Sequence, residues 1–261
     1  MNEKDSRHIE RYSRQVMLPE IGGEGQRRLS AASVAVVGAG GLGSPVLYCL
    51  ASAGVGHIRI IDSDTVDITN LNRQFVHSQD DIGRQKAQSA MEALARYNHD
   101  IEICADAVAL DADNAEELLA GHDLVLSCVD NKKTRHILNG VCVRGGVPLI
   151  DGGIRGFEGY VLIVLPGVTP CYQCIFPQKD QQEADAGIGV LGATAGVLGS
   201  LMATEAIKRI VGIPAQACFY FVDLLSSRIT TIQAKKDPGC PVCAPERTAK
   251  NLAPWPRRGF I

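Results

Sequence analysis

The chain has 261 residues, of which 46% are hydrophobic and 5% aromatic, and its formal net charge is −3. This composition is typical of a globular α/β core, and the length fits one large domain or a domain with an appendage. The small negative charge gives no electrostatic reason to expect binding to nucleic acid or to anionic membranes. The polar N-terminal segment and the absence of a long uncharged apolar run predict no signal peptide and no membrane span, and therefore a cytoplasmic protein.

Two polar helices are predicted at the start of the chain, and strands and helices then alternate. The polar helices are residues 7–16 and 25–32, the strands are 33–37, 57–61, 101–105, 124–128 and 148–151, and the helices between them are 45–53, 84–97, 114–120 and 132–144. This alternation predicts an α/β fold, a doubly wound, Rossmann-like, mostly parallel sheet.

The pattern changes in the last third of the chain. Strands are predicted at 160–165, 219–222 and 228–233 with no crossover helix between the last two, and a long helix is predicted at 193–211. We therefore expect a C-terminal antiparallel extension of the sheet. The predicted organisation is one domain over residues 1–243, with a nucleotide-binding part at about 30–152, and a weakly structured tail at 244–261.

A glycine-rich turn follows the first strand. Gly38, Gly40 and Gly43 have the spacing of a dinucleotide-binding turn, which lets a ligand approach the backbone at a helix N-terminus. Asp62 ends the next strand, where an acid binds ribose hydroxyls. Together these residues predict nucleotide binding. The alternative, a turn that only permits close helix–sheet packing, explains the glycines but not the acid.

Polar and basic residues follow the second strand: Asn70, Arg73, Gln74 and Lys86. Loops after the strands of a doubly wound sheet open on the ligand crevice, so Arg73 and Lys86 are expected near a nucleotide's phosphates. This favours ATP over a nicotinamide cofactor, since hydride transfer does not need two such charges. For each basic residue alone, a solvated surface position is the simpler interpretation.

Asp130 and Asn131 close the fourth strand of the predicted sheet. A carboxylate at this edge is a reasonable Mg²⁺ ligand, because Mg²⁺ is usually held by one or two carboxylates together with phosphate oxygens. Either residue would also serve as the N-cap of the helix that begins at Lys132. The spacing does not decide between the two roles.

The nine cysteines fall into two groups. Two CxxC pairs, Cys171/Cys174 and Cys240/Cys243, have the spacing of a four-thiolate zinc site, with a redox dithiol as the alternative. The other five are isolated in apolar segments and are predicted to be small buried hydrophobes. These are Cys49, Cys104, Cys128, Cys142 and Cys218.

Several short motifs occur in an order that resembles one family. They are RYSRQ at 11–15, GAGGLG at 38–43, ASAGVG at 51–56, DxDxV at 62–66, NLNRQ at 70–74, GxxK at 83–86 and DN at 130–131, followed by the two CxxC pairs. With them the chain resembles the MoeB/ThiF/HesA family of adenylyltransferases over residues 8–243, and most closely the MoeB-type members.

The resemblance implies an ATP-dependent enzyme that activates the C-terminal Gly-Gly carboxylate of a ubiquitin-like sulfur-carrier protein, similar to MoaD or ThiS. The acyl-adenylate forms with release of pyrophosphate, and an external sulfur donor then converts it to a thiocarboxylate for molybdopterin, thiamine or related sulfur metabolism. The resemblance also implies that residues 153–243 bind the carrier and one structural zinc ion, held by Cys171, Cys174, Cys240 and Cys243.

The resemblance assigns roles to single residues. It implies that ATP is held by Gly41, Asp62, Asn70, Arg73, Gln74, Lys86, Asp130 and Asn131, and that Asp130 also binds magnesium. Arg14 matches an arginine that the second subunit of a homodimer contributes, whereas its sequence context alone predicts an exposed helix residue. The catalytic set is therefore expected to be Arg14, Arg73, Lys86 and Asp130.

One departure from the family pattern bears on mechanism. Some relatives carry a cysteine in the segment that corresponds to residues 181–187, and this chain has none there. The sequence also has no rhodanese-like segment at its C-terminal end. We therefore expect adenylation alone, with sulfur supplied by another protein. The alternatives are an NAD-dependent oxidoreductase, a non-catalytic scaffold for a ubiquitin-like partner, and adenylation of another carboxylate, on a modified tRNA base or a peptide.

Overall fold

The fold is taken from a computed structural model that describes residues 3–178, 189–214 and 218–244. The strands are β1 (Ser33–Val37), β2 (His57–Ile61), β3 (Glu102–Asp106), β4 (Leu124–Ser127), β5 (Leu149–Arg155), β6 (Glu158–Val164), β7 (Phe219–Asp223) and β8 (Arg228–Ile232). The helices are α1 (Glu3–Val16), α2 (Gly22–Ala31), α3 (Gly43–Ala53), α4 (Lys86–Tyr97), α5 (Ala115–Leu119), α6 (Lys132–Gly145), α7 (Tyr172–Ile175) and α8 (Gly192–Val211).

These eight strands form one sheet in the order β3-β2-β1-β4-β5-β6-β7-β8. Strands β1 to β5 pair with one another in parallel, and β6, β7 and β8 continue the sheet from β5 in antiparallel pairs. The predicted fold class, a mostly parallel Rossmann-like sheet with a C-terminal antiparallel extension, is confirmed. The strand order reverses between β1 and β4, and in such sheets the ligand crevice lies outside the carboxyl ends of the strands at this point.

The central strands are buried on both faces, which explains why their sequences are continuously apolar. Along β1, Val34 and Val36 belong to the core beneath α3, α4 and α8, whereas Ala35 and Val37 belong to the core beneath α5 and α6. This alternation follows from the two-residue period of a strand. The sheet therefore separates two hydrophobic cores, and its carboxyl edge lies between them.

Strand β5 and Cys104 differ from the sequence-based predictions. Strand β5 extends four residues beyond the predicted end at Asp151, because it pairs with β6 as far as Arg155 opposite Glu158. Cys104 is exposed, so the prediction that it is buried is wrong, since it lies on the edge strand β3. The other isolated cysteines are buried or half-buried. The predicted tail beyond Ala244 and the segment 181–187 lie outside the described residues.

No helix in the described part of the chain is long and apolar enough to cross a membrane.

Helix α8 packs against α3 through a glycine. A methyl group on Gly199 would lie 2.3 Å from Cγ of Pro45 and 2.7 Å from the carbonyl oxygen of Leu42, closer than packed atoms approach. Gly196, one turn earlier on the same helix, has no atom within 4 Å of the same position. The two glycines therefore differ in packing while sharing a helical backbone.

We expect Gly199→Ala to lower the free energy of unfolding by about 1–3 kcal/mol, because the added methyl overpacks the α3–α8 contact. Gly196→Ala is the matched control and should raise it by about 1 kcal/mol, since alanine is the better helix former. Equilibrium denaturation in urea measures both. Stabilisation by both substitutions would show that the contact is looser than described.

Candidate active site

A cleft of about 850 Å³ opens at the carboxyl ends of the parallel strands. Seven of the eight residues that the resemblance assigned to ATP line it: Gly41, Asp62, Arg73, Gln74, Lys86, Asp130 and Asn131. Two others, Asn70 and Arg14, do not line it. The seven lining residues lie on the loops that follow β1, β2 and β4 or, for Lys86, at the start of α4, so the topology of the sheet is what brings them together.

The glycine-rich turn at the base of the cleft has no room for a side chain at Gly38 or Gly43. The backbone of Gly38 has φ +96°, and a methyl group on Gly43 would lie 2.0 Å from the carbonyl oxygen of Gly38. The N–H of Ala39 donates to Oδ2 of Asp62 at 2.7 Å. The acid that the sequence assigned to a ribose therefore also holds the turn in place. Burial raises the pKa of Asp62, and the backbone N–H donors oppose that effect only in part.

A buried histidine that the sequence analysis did not single out holds the same turn from the other side. Nε2 of His77 lies 3.0 Å from the carbonyl oxygen of Ala39, and Nδ1 lies 2.9 Å from the hydroxyl of Ser89. Burial lowers the pKa of His77, so its ring is neutral at neutral pH. The neutral ring can then donate from Nε2 to Ala39 and accept from Ser89 at Nδ1.

Two basic residues, Arg73 and Lys86, line the cleft from the segment that follows β2. The ammonium of Lys86 is 2.9 Å from Oδ2 of Asp64, and the side chain of Lys86 is only 7% exposed. Nη1 of Arg73 donates to the carbonyl of Thr69 and to Oδ1 of Asn72, both at 2.9 Å. A positive charge with so little water around it interacts strongly with an anion that enters the cleft.

Gln74 is buried in the wall of the cleft, and its Oε1 has no hydrogen-bond partner within the described residues. A buried acceptor left unpaired costs about 1–3 kcal/mol, so a donor on a bound ligand would relieve this cost. Asn70, which the resemblance also assigned to ATP, makes a local contact. Its Oδ1 accepts from the N–H of Asp67 at 3.2 Å and closes a capping box on the 3-10 turn at Ile68–Asn70.

The structure separates the two roles that the sequence left open for Asp130 and Asn131. Oδ1 of Asn131 accepts from the N–H of Thr134 at 2.9 Å, so Asn131 is the N-cap of α6. Asp130 is exposed at the cleft and has no hydrogen-bond partner in the described part of the chain. Its carboxylate is therefore not used as a helix cap.

The opposite wall of the cleft contains an ion pair that the sequence analysis did not predict. Nη1 of Arg135 lies 2.7 Å from both carboxylate oxygens of Asp151, and both side chains are buried. The hydroxyl of Tyr160 donates to Oδ2 of Asp151 at 2.8 Å. Burial alone would lower the pKa of Arg135, but the nearby carboxylate of Asp151 outweighs that effect, so this pKa is raised and the guanidinium keeps its charge. The one available sequence signal was an aspartate at the end of a predicted buried strand.

Aromatic rings continue this wall toward the mouth of the cleft. The ring of Tyr160 stacks on Phe219 with centroids 5.6 Å apart and contacts Phe176 at 4.9 Å. Phe176 in turn contacts Tyr172 at 5.0 Å. The cleft therefore has a basic, polar end and an aromatic end.

Arg14 is exposed on α1, away from the cleft of its own chain. Within a single chain it therefore does not join Arg73, Lys86 and Asp130. The sequence context alone, which predicted an exposed helix residue, describes its position.

The four paired cysteines converge behind the aromatic wall, and their sulfur atoms all lie within 4.8 Å of one another. Sγ of Cys171 is 3.7 Å from that of Cys240, and Sγ of Cys174 is 3.4 Å from that of Cys243. Four thiolates at 2.3 Å from a tetrahedral zinc are about 3.8 Å apart, so the cluster fits a Zn²⁺ ion. Convergence of two pairs also disfavours the alternative of a single redox dithiol.

The sequence profile described as the ThiF family matches residues 12–242. The chain belongs to the ThiF family. It is 40% identical over 257 residues to the sulfur carrier protein adenylyltransferase of Thermus thermophilus, covering 95% of each protein. It is 39% identical over 244 residues to the SAMP-activating enzyme E1 of Haloferax volcanii, covering 92% of this chain and 90% of that one.

The chain is also similar to part of a longer protein and to a solved structure. This ThiF-family chain is 40% identical to mouse (Mus musculus) adenylyltransferase and sulfurtransferase MOCS3 but spans only 54% of that protein. The solved structure of E. coli MccB with AMPCPP and MccA has the same fold, with a TM-score of 0.81 at 24% identity over 93% of this chain and 82% of MccB. The relatives confirm the prediction of an adenylyltransferase and give no support to an NAD-dependent oxidoreductase.

Elemental analysis of protein purified without chelator should give one Zn²⁺ per chain. Cys240→Ser should lower the melting temperature, because a structural metal contributes folding free energy. Cys142→Ser, at a buried cysteine outside the cluster, is the control that should leave the zinc content unchanged. Zinc-free protein that melts like the zinc-loaded protein would contradict a structural metal.

Proposed function

We propose that this ThiF-family enzyme uses ATP and Mg²⁺ to adenylate the C-terminal carboxylate of a ubiquitin-like sulfur-carrier protein that ends in Gly-Gly. The observation that carries the proposal is one cleft that brings together Asp62, Arg73, Lys86 and Asp130 at the topological switch point of the sheet. The choice of acceptor is supported by relatives at about the same level of identity, one named for a sulfur carrier protein and one for SAMP activation.

The proposed roles follow from position and charge. Asp62 binds the ribose hydroxyls of ATP, and Gln74 supplies an unpaired buried acceptor to the same ligand. Arg73 and Lys86 neutralise phosphate oxygens, and Lys86 then shares its charge between the phosphates and Asp64. Asp130, which has no partner of its own in the described part of the chain, is the carboxylate that would hold Mg²⁺.

The reaction is a displacement at the α-phosphorus of ATP. An oxygen of the carrier's carboxylate forms the new P–O bond, the bond to the bridging oxygen of pyrophosphate breaks, and that leaving group takes the electron pair. Both reactants are anionic, so their approach depends on fixed positive charge and on in-line geometry. The cleft meets these needs with Arg73 and Lys86, and its other wall carries the aromatic rings around Tyr160.

The product is a carboxyl group activated as an acyl-adenylate, with no protein nucleophile required. MOCS3 is named for two activities, adenylyltransferase and sulfurtransferase, and the cleft of this chain provides groups that suit the first of them, adenylation. A separate sulfur donor then converts the adenylate to a thiocarboxylate. Molybdopterin, thiamine or a related sulfur metabolite would be the destination of that sulfur.

We also propose that the active enzyme is a homodimer in which Arg14 of one protomer completes the ATP site of its partner. The support is that Arg14 is exposed and lies outside the cleft of its own chain. A cationic side chain that reaches the phosphates from a second protomer would add charge where the leaving pyrophosphate develops it.

The proposed function predicts exchange of labelled pyrophosphate into ATP that depends on Mg²⁺ and on a purified ubiquitin-like carrier ending in Gly-Gly. A carrier whose last glycine is deleted is the control and should support no exchange, because the reacting carboxylate is displaced by one residue. Exchange with the truncated carrier at the full rate would exclude this acceptor.

Asp130→Ala should abolish the exchange while leaving the melting temperature nearly unchanged, since its carboxylate is not a helix cap. Asn131→Ala should instead cost about 1 kcal/mol of stability, because it removes the cap of α6. Melting curves and exchange assays on the same samples separate the two effects. Normal exchange by Asp130→Ala would exclude the metal role.

Mixing inactive Arg14→Ala protein with inactive Asp130→Ala protein should restore activity, because a mixed dimer contains one site with both residues intact. With random subunit exchange about half of the dimers are mixed, so on the order of a quarter of wild-type activity is expected for independent sites. Each variant alone is the control. Background activity after demonstrated subunit exchange would place Arg14 outside the partner's site.

A further inference from the structure

A single buried guanidinium contacts three segments of the cleft wall. Arg135, in the first turns of α6, lies 2.7 Å from Asp151 of β5, 2.6 Å from the carbonyl of Gly152 and 3.0 Å from the hydroxyl of Tyr160 of β6. Its Nη2 donates to the carbonyl of Val129, in the loop after β4. The roles proposed above do not use this side chain, although it is buried in the wall of the same cleft.

The contact between Arg135 and Val129 matters because Val129 is next to Asp130 in the chain. Val129 directly precedes Asp130, and Asn131 directly follows it. Arg135 donates to the carbonyl of Val129, and the N–H of Thr134 donates to the side chain of Asn131. Asp130 is exposed and lacks a partner among the described residues, so its direction is set by these two anchored neighbours.

The same guanidinium sets the opposite wall. The hydroxyl of Tyr160 donates to Asp151 and accepts from Arg135, and this arrangement fixes the position of a ring that lines the cleft. Asp151 neutralises the buried cation, and its two oxygens are used by Arg135 and Tyr160. Both walls are therefore tied to one planar group.

We propose that Arg135 is a positioning residue that holds the Asp130 loop and the Tyr160 wall at a set separation, so that a metal-bound nucleotide and the incoming carboxylate meet in line. This inference rests on the proposed function, because Asp130 is taken as the magnesium ligand. A lysine would keep the charge opposite Asp151, but its single ammonium cannot span the carbonyls of Val129 and Gly152 as a planar fork does.

The test is the Mg²⁺-dependence of ATP affinity, measured by calorimetry with Mg²⁺ and with a chelator. Arg135→Lys should lose about ten-fold of the Mg²⁺-dependent gain in affinity, the effect of one charge-assisted hydrogen bond. When a chelator removes Mg²⁺, the ATP affinity of Arg135→Lys should stay within about two-fold of wild type, because Asp62, Arg73 and Lys86 are unchanged. Arg59→Lys is the control, since Arg59 and Asp106 form an ion pair of the same length, 2.7 Å, which is half-buried and does not line the cleft.

Tyr160→Phe is the second variant, chosen because it keeps the packed ring and removes only the hydroxyl. It should keep the Mg²⁺-dependent gain and raise the KM for the Gly-Gly carrier by about ten-fold in the exchange assay. If Arg135→Lys does not fold, an unchanged KM for Tyr160→Phe overturns the proposal by itself.

The outcomes separate this inference from the function on which it rests. An unchanged Mg²⁺-dependent gain in Arg135→Lys, or an equal loss with and without Mg²⁺, overturns the positioning role. A wild-type protein that binds ATP in a Mg²⁺-dependent way but exchanges no pyrophosphate excludes the proposed acceptor, and the binding data alone then decide the role of Arg135. If the ATP affinity of the wild-type protein does not depend on Mg²⁺, both proposals are overturned.

Discussion

Strand β5 pairs in parallel with β4 and antiparallel with β6, and the cleft is built around the point where the two pairings meet. Its parallel pairing with β4 ends where Ser127 lies opposite Asp151, whereas its antiparallel pairing with β6 continues to Arg155. The buried Arg135–Asp151 ion pair lies at the point where the first pairing ends. Removing one partner of a buried pair costs about 3–5 kcal/mol, because the other charge is left without compensation. The junction of the parallel and antiparallel parts is therefore held by charge as well as by backbone hydrogen bonds.

This junction also explains why the cleft has two chemically different walls. The parallel strands contribute loops with backbone donors, carboxylates and basic side chains, the groups that suit a nucleotide. The antiparallel strands contribute the stacked rings of Tyr160 and Phe219, and Phe176 packs on Tyr160 from the segment that follows α7. In the proposed reaction, a flexible peptide tail would lie against this wall without competing for the charges that the phosphates need. The two walls would then hold two substrates of like charge side by side.

The cysteine cluster belongs to the same arrangement rather than to a separate appendage. Cys171 and Cys240 are part of the core beneath α5 and α6, and Tyr172, between the first two cysteines, lines the cleft. The N–H of Tyr172 donates to Oδ1 of Asn139 on α6 at 2.8 Å. A metal in the cluster would join two segments about 65 residues apart in the chain and keep the aromatic wall against α6.

The sequence by itself determined the features that depend on local spacing. Alternating apolar runs predicted the strands, the turn at Gly38–Gly43 and Asp62 predicted the nucleotide site, and the paired cysteines predicted their cluster. Only the tertiary structure decided which of Asp130 and Asn131 caps α6, that Cys104 is exposed, and that Arg135 meets Asp151 and Tyr160. Periodicity and turn chemistry are set by neighbouring residues, whereas these contacts depend on how the strands align. The alignment of β5 with both β4 and β6 is a property of the whole sheet, which no short stretch of sequence encodes.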